Sequence, residues 1–233
     1  MLTERSRSMV EIKPTRFDGV YSDGRDFFTL NLAAGVRVYG EKLLTQDGRE
    51  YRRWDPHRSK LAALLQRGCP AWPFKHDTEV LYLGAASGTT ASHLSDISTA
   101  GKLYCIEISS RVFRKLLDVA VRRPNMMPFL GDADRPDAYK SLFGLVEVVY
   151  QDIAQRDQVP IFLKNISFLG PGGFGFLMVK ARSIDVAARP EDIYGQVSKD
   201  LSAAGLDVLG IIRLDPFQKD HAAVVVQRRS GQA

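Results

Sequence analysis

The stretch Val80-Leu81-Tyr82-Leu83-Gly84-Ala85-Ala86-Ser87-Gly88-Thr89-Thr90 decides how this chain folds. Four consecutive apolar residues read as a strand covered on both faces, because a strand with one wet face would alternate. Small residues then make a tight turn, and a helix opens near Thr89 and runs to Ile97. Such a turn lets backbone approach a ligand closely, and the first N–H groups of the helix point at it. The same residues would also make an ordinary glycine-rich turn, so the neighbourhood has to decide.

Downstream, helix and strand alternate. A strand from Lys102 to Glu107 precedes a helix from Ser110, read as its N-cap, to Arg122. A strand from Met126 to Leu130, a helical segment from Pro136 to Leu142 and a strand from Val146 to Tyr150 follow. The pattern continues with a helix from Val159 to Leu169, a strand from Gly173 to Val179 and a helix from Pro190 to Ala204. Two β runs, Val208 to Leu214 and Ala222 to Gln227, close the chain. Upstream of the turn, Leu61, Leu64 and Leu65 have helical spacing within Ser59 to Arg67. Repeated β–α units predict an α/β fold with a parallel sheet covered on both faces, and the closing runs predict an antiparallel hairpin at one edge.

The first stretch, to about Trp54, reads differently. Short β runs at Val10 to Ile12, Phe17 to Tyr21, Phe27 to Leu32 and Val36 to Tyr39 are punctuated by Asp18-Gly19, Asp23-Gly24, Gly35 and Asp47-Gly48. These are hairpin signals, and they predict a small antiparallel sheet that leans on the following domain or on a partner. The chain therefore divides into a β-rich N-terminal domain, 1–55, and an α/β domain, 56–233.

With 233 residues, 45% hydrophobic and 25% charged, the chain has the composition of a folded globular protein. Its net charge of +5 is compatible with an acidic partner without demanding one. Cys69 and Cys105 lack any CxxC or Cys/His ligand spacing, which argues against a disulfide framework or a metal site and for a reducing compartment. Glu4, Arg5, Arg7 and Glu11 are followed by no apolar run, and no window is long enough to span a bilayer. The expectation is a soluble, cytoplasmic protein.

Three carboxylates sit where successive strands end. Glu107 closes the second strand of the series, roughly 20 residues beyond the glycine turn, where it can accept from both ribose hydroxyls of an adenosine. Asp132, after the third strand, is placed to accept from an adenine amine, and Asp152 ends the fourth beside the point where strand order should reverse. The turn reads G-x-x-x-G and lacks the middle glycine that brings backbone against a pyrophosphate. That favours S-adenosylmethionine over a nicotinamide dinucleotide, and a cationic sulfonium suits an acid-lined crevice. Lys60, in the helix before the first strand, and Lys180, after the fifth, are candidates to meet Asp152 and take a proton from a hydroxyl nucleophile. Each could equally extend to solvent from the end of its element.

The whole string supplies the context. Val80 to Thr90 with Ser92-His93-Leu94-Ser95-Asp96, Arg53-Trp54-Asp55-Pro56-His57-Arg58-Ser59-Lys60, Tyr39-Gly40-Glu41-Lys42, Asp152-Ile153-Ala154-Gln155 with Asp157-Gln158, and Asp220-His221-Ala222 closely resemble the fibrillarin family, in its order and over nearly the full chain. The resemblance implies a class I S-adenosylmethionine-dependent methyltransferase, a Rossmann-like, mostly parallel seven-stranded sheet with an antiparallel edge hairpin, behind a small β-rich domain. It implies cofactor contacts from the turn Gly84, Ala85, Ala86, Ser87, Gly88, Thr89 and Thr90, from Glu107, Ile108, Asp132 and Ala133, and from Asp152, Ile153, Ala154 and Gln155. It implies a catalytic set of Lys60, Asp152, Lys180, Asp220 and His221, and no metal. The activity implied is 2′-O-methylation of ribose in rRNA and, in archaeal members, tRNA, within a box C/D guide-RNA particle. The partners implied are a Nop-family scaffold and a kink-turn-binding ribosomal-type protein. No Gly/Arg-rich extension precedes the first domain, as in archaeal members. Ile108 stands where the family commonly has an aromatic or other apolar residue, and Arg156 where it commonly has a proline.

RNA-recognition signatures are otherwise absent from the sequence. Arg52, Arg53, Arg58, Arg111, Arg114, Lys115, Arg122 and Arg123 are available for phosphates, or simply for solvent. Weak intrinsic affinity would suit an enzyme delivered by partners, so the isolated chain should methylate RNA poorly. Rival readings are a methyltransferase for a protein side chain or small molecule, a dinucleotide oxidoreductase, and a non-catalytic scaffold.

Overall fold

A computed structural model describes residues 11–230. Val10 and the charged residues Glu4, Arg5 and Arg7 lie outside them. Hairpins build the first sheet: β1 (Lys13–Pro14), β2 (Val20–Ser22), β3 (Phe27–Leu30), β4 (Leu43–Gln46) and β5 (Arg49–Trp54), antiparallel throughout in the order β1-β2-β3-β5-β4. One expectation fails here. Val36 to Tyr39 is not a strand, because the N–H groups of Val38 and Tyr39 donate to the Glu41 carboxylate at 2.8–3.0 Å and leave no ladder to a neighbour. The hairpin around Asp47-Gly48 joins β4 to β5 instead, with both turn residues in the left-handed region.

From α1 (Lys60–Arg67) onward the alternation unfolds as β6 (Val80–Leu83), α2 (Thr89–Ile97), β7 (Leu103–Glu107), α3 (Ser110–Ala120), β8 (Met126–Leu130), β9 (Val146–Gln151), α4 (Gln158–Asn165), β10 (Leu169–Lys180), α5 (Ala181–Ile184), α6 (Pro190–Ala203), β11 (Leu206–Arg213) and β12 (His221–Arg228). Ser109, rather than Ser110, caps α3 by accepting from the Val112 N–H. Only one 3-10 turn, Pro136–Ala138, forms in the segment expected to be helical to Leu142.

The sheet order is β11-β12-β10-β9-β6-β7-β8, parallel from β10 to β8, with β12 antiparallel to both β10 and β11. The unbroken apolar run of β6 is explained by its neighbours. Val80 and Tyr82 face a core shared with α1 and α2, while Leu81 and Leu83 face a second core shared with α4 and α6. Each such fully buried side chain contributes about 1.5–3 kcal/mol relative to exposure.

The N-terminal sheet has only a small cluster of its own, Ile12, Phe28 and Tyr51. Phe17, Val20 and Trp54 instead join the core on the α1–α2 side of the large sheet. A buried charge network closes the junction. Arg52 of β5 reaches Glu41 at 2.6 Å and Asp96 of α2 at 2.7 Å, and Arg123 meets Asp96 at 2.5 Å. Two cations thus face two anions, with the Thr29 hydroxyl and the Leu32 N–H also donating to Asp96 at 2.7 and 3.0 Å. Arg52 and Arg123, read as available to solvent or phosphate, are consequently inaccessible to both. Burial was possible because each guanidinium meets a buried carboxylate. Arg53 is committed too, at 2.9 Å from Asp26.

Candidate active site

β6 lies between β7 and β9, so the chain leaves neighbouring carboxyl ends in opposite directions and a crevice opens there. Gly84 sits at its base with φ of 80°, and a Cβ on it would lie 2.4 Å from the Asp152 carbonyl oxygen. Only glycine fits such an approach. Gly88 begins α2 without a side-chain cap, which leaves the first N–H groups of the helix open at the turn.

A cavity of about 320 Å³ occupies the crevice. Of the residues expected to hold a cofactor, Gly84, Ala85, Ala86, Thr89, Thr90, Asp152, Ile153 and Ala154 line it, and of the expected catalytic set Lys60, Asp152, Lys180 and His221 do. Others stand outside its wall. Ser87 lines a second cavity, Gly88 is buried, Ile108 is exposed, and Gln155 is exposed beyond Ala154. Glu107 ends β7 and accepts the Ala86 N–H at 2.9 Å and the Ser109 N–H at 2.8 Å, one on each oxygen. Asp132 follows β8 and accepts from Asp134, while the Ala133 carbonyl is held by Asn165 and Tyr139. Glu107, Asp132 and Asp152 therefore share the carboxyl edge of the sheet, with only Asp152 in the cavity itself. Asp220 is not brought in: its carboxylate lies 3.2 Å from Arg182.

Lys60 and Asp152 form the centre. The Lys60 Nζ donates to both oxygens of Asp152, at 2.7 and 3.0 Å. Lys60 is the first residue of α1, and the helix is aimed by Ser59, whose Oγ accepts the Ala62 N–H and lies 2.9 Å from the Thr90 Oγ1. The capping residue of one helix is thereby tied to the first turn of the next.

Lys180 ends β10, beside β9 and opposite His221 of β12. Its amine has no hydrogen bond or ion pair among the described residues. Its backbone is clamped: Gln158 accepts the Lys180 N–H at 2.9 Å and donates to the Lys180 carbonyl at 3.1 Å. Burial pushes the His221 pKa below the ordinary histidine value, and Lys60 and Lys180 add to the effect while Asp152 opposes it. Its Nδ1 is 2.7 Å from the Lys219 carbonyl, so Nδ1 carries the proton and Nε2 the lone pair.

Sequence reasoning gave Arg58, Tyr82 and Gln158 no role in the crevice. Arg58 and Tyr82 line it, and Gln158 positions Lys180 from a buried helix start. Arg58 lies within the segment that carries Lys60, and Gln158 within one already singled out, but neither spacing reveals a backbone clamp.

The reversed strand β12, the glycine turn at the switch point and the carboxylates on one sheet edge define a Rossmann-like, class I S-adenosylmethionine-dependent methyltransferase fold. A methyltransferase of that kind from Aquifex aeolicus shares the fold alone, at a TM-score of 0.53 and 16% identity over 75% of this chain and 89% of its own. The fibrillarin family model matches residues 12–230, and the chain belongs to that family. A fibrillarin-like rRNA/tRNA 2′-O-methyltransferase from Methanopyrus kandleri is 46% identical over 226 residues, 94% of this chain and 97% of that one. The fibrillarin pre-rRNA processing protein of Methanococcus jannaschii superposes with a TM-score of 0.90 at 39% identity, covering 94% of this chain and 98% of its own. Aeropyrum pernix fibrillarin, solved with natively bound S-adenosyl-L-methionine, gives 0.84 at 43%, covering 94% and 100%. A fibrillarin solved in complex with Nop5p gives 0.81 at 39%, covering 92% and 100%.

Proposed function

We propose that this chain transfers a methyl group from S-adenosylmethionine to ribose 2′-hydroxyls of rRNA and tRNA, as the catalytic subunit of a box C/D guide-RNA particle with a Nop-family scaffold and a kink-turn-binding protein. The Lys60–Asp152 pair, set against the glycine turn with Lys180 and His221 on the same wall, is the observation that carries this reading. The names and bound partners of the related proteins above support its substrate, cofactor and scaffold.

The residues fit that cofactor. Gly84 leaves the close backbone approach that a side chain would fill, and each Glu107 oxygen retains a lone pair beyond the backbone N–H it accepts. Glu107 would take the ribose hydroxyls, Asp132 the adenine amine, and Asp152 to Gln155 the segment nearest the reacting end. When bound, the cofactor supplies an electrophilic methyl group on a cationic sulfur.

The chain's own residues do the rest. Asp152, its charge shared with Lys60, holds the incoming hydroxyl in line with the methyl group, and positioning of this kind supplies much of the rate. A ribose hydroxyl is a weak acid, so its proton must leave as the new bond forms. Lys60 is engaged with Asp152, whereas Lys180 is uncommitted, and in its amine form it is the group we assign to receive that proton. The neutral His221 limits the positive charge around it.

Reconstitution with guide RNA, scaffold and kink-turn protein, followed by methyl incorporation into RNA, tests the reading. Lys180→Ala should bind cofactor within about twofold of wild type and lose about 10²–10⁴-fold in transfer. A wild-type particle that leaves RNA unmethylated would sink the activity, and an undiminished variant would sink the role of Lys180.

A further inference from the structure

Ser87 turns from the crevice into a second cavity of about 400 Å³. One wall is the face of α3 and the residues just after it, with Lys115, Asp118 and Arg122 at helical spacing; the loop carrying Arg37 and Tyr39 is the other. Arg58 lines this cavity and the catalytic crevice alike. Four exposed cations therefore converge on a concavity holding one carboxylate. Lys115 and Arg122 have no hydrogen bond or ion pair from their side chains among the described residues. The Arg58 guanidinium lies 5.9 Å from the centre of the Tyr39 ring and Arg37 donates to the Glu41 carbonyl, and neither has a carboxylate partner among the described residues.

Surface cations that merely solvate a helix have no reason to line a cavity that shares a wall residue with the catalytic crevice. We propose that this groove binds phosphodiester groups of RNA flanking the target nucleotide, with Lys115 and Arg122 as its main cations. Arg58 stands between the last bound phosphate and the reacting ribose. The inference rests on the RNA substrate proposed above. An acidic protein surface would satisfy the same charges, but the shared Arg58 sets the groove beside the place where the ribose must arrive, and a strand delivering that ribose continues beyond it. Phosphate contacts of this kind fix register without reading sequence, which suits an enzyme whose target is chosen by base pairing.

The test uses the assembled particle and the Lys115→Ala/Arg122→Ala double variant; neither residue belongs to the catalytic or cofactor machinery. The KM for substrate RNA should rise about tenfold with kcat within about twofold, cofactor affinity unchanged and the salt dependence of KM shallower by roughly 1–2 in log–log slope, since each phosphate neutralised contributes about 0.7–0.9. Substrate or guide strands carrying neutral methylphosphonate linkages identify the source. Neutral linkages in the occupying strand should raise KM for wild type and add nothing to the double variant. An unchanged KM and slope, in a particle that methylates RNA, overturns the groove and leaves the activity standing. A loss confined to assembly with the scaffold protein assigns the groove to an acidic protein surface and also overturns it. A wild-type particle with no transfer to RNA removes the parent reading, and this one with it.

Discussion

Lys60 and Asp152 come from opposite ends of the catalytic fold's first half and meet with Nζ 2.7 Å from Oδ1, on a backbone that Gly84 allows to pass. Adding a methyl group at Gly84 would press on the Asp152 carbonyl and draw its carboxylate off Lys60. Gly84→Ala should cost about 1–3 kcal/mol of stability from its left-handed backbone. It should also weaken cofactor binding by more than tenfold, read by calorimetry. Cofactor affinity at the wild-type level would show that the crevice tolerates a side chain there.

Gln158 holds the backbone of Lys180, the residue proposed above to receive the proton, by two hydrogen bonds. Gln158→Ala should therefore lower kcat by roughly tenfold, about 1.4 kcal/mol of transition-state energy, while KM for RNA and cofactor affinity stay put. A structural role alone would move stability without that split between kcat and KM.

Asp96 holds two guanidinium groups, a hydroxyl and a backbone N–H in the interior. Asp96→Asn removes the charge, leaves the geometry and turns an amide donor toward a cation. A loss of about 3–5 kcal/mol in urea unfolding is expected, the cost of leaving buried charge uncompensated. A loss under 1 kcal/mol would mean that water reaches the junction.

His93 lies in the same interior, its Nδ1 2.7 Å from the Thr29 hydroxyl and its Nε2 2.7 Å from the Tyr39 hydroxyl. Thr29 gives its single proton to Asp96, so Nδ1 donates to Thr29, and in the neutral ring Nε2 keeps a lone pair that shares the Tyr39 hydroxyl proton with the Arg53 carbonyl. Burial, with Arg52 and Arg123 nearby, holds its pKa well below the ordinary 6.5. The unfolded chain takes up the proton first as pH falls, so its share of stability is whole above pH 6.5 and is lost below it, toward the depressed folded value. Between pH 6 and 5, unfolding free energy should drop for wild type by up to about 1.4 kcal/mol more per pH unit than for His93→Gln. Parallel curves for the two proteins would contradict a neutral, buried imidazole.

The α/β half of the molecule was legible because its signals are local. The apolar run of β6 is buried on both faces, and the bounds read for β6 and β8 match the structure. The first sheet was harder for a definite reason. Arg49-Glu50-Tyr51-Arg52-Arg53-Trp54 carries too much charge to read as a strand, yet Arg52 points inward because Asp96 and Glu41 wait there. The identity of a partner 44 residues away is a tertiary fact that periodicity does not contain. The same holds at the site. Lys60, Asp152 and Lys180 could be named from strand and helix ends, but the diversion of Asp220 to Arg182 depends on where α5 begins.

The position of β12 has a consequence for biosynthesis. It is the seventh strand of the large sheet to leave the ribosome, yet it lies inside, hydrogen-bonded along both sides to β10 and β11. Until residues 221–228 emerge, those two neighbours present apolar, unpaired edges to the surrounding medium, the kind of surface that invites intermolecular pairing. The nascent chain thus carries those open edges until its crevice can be completed, since the strand that seals the sheet also places His221 on the crevice wall.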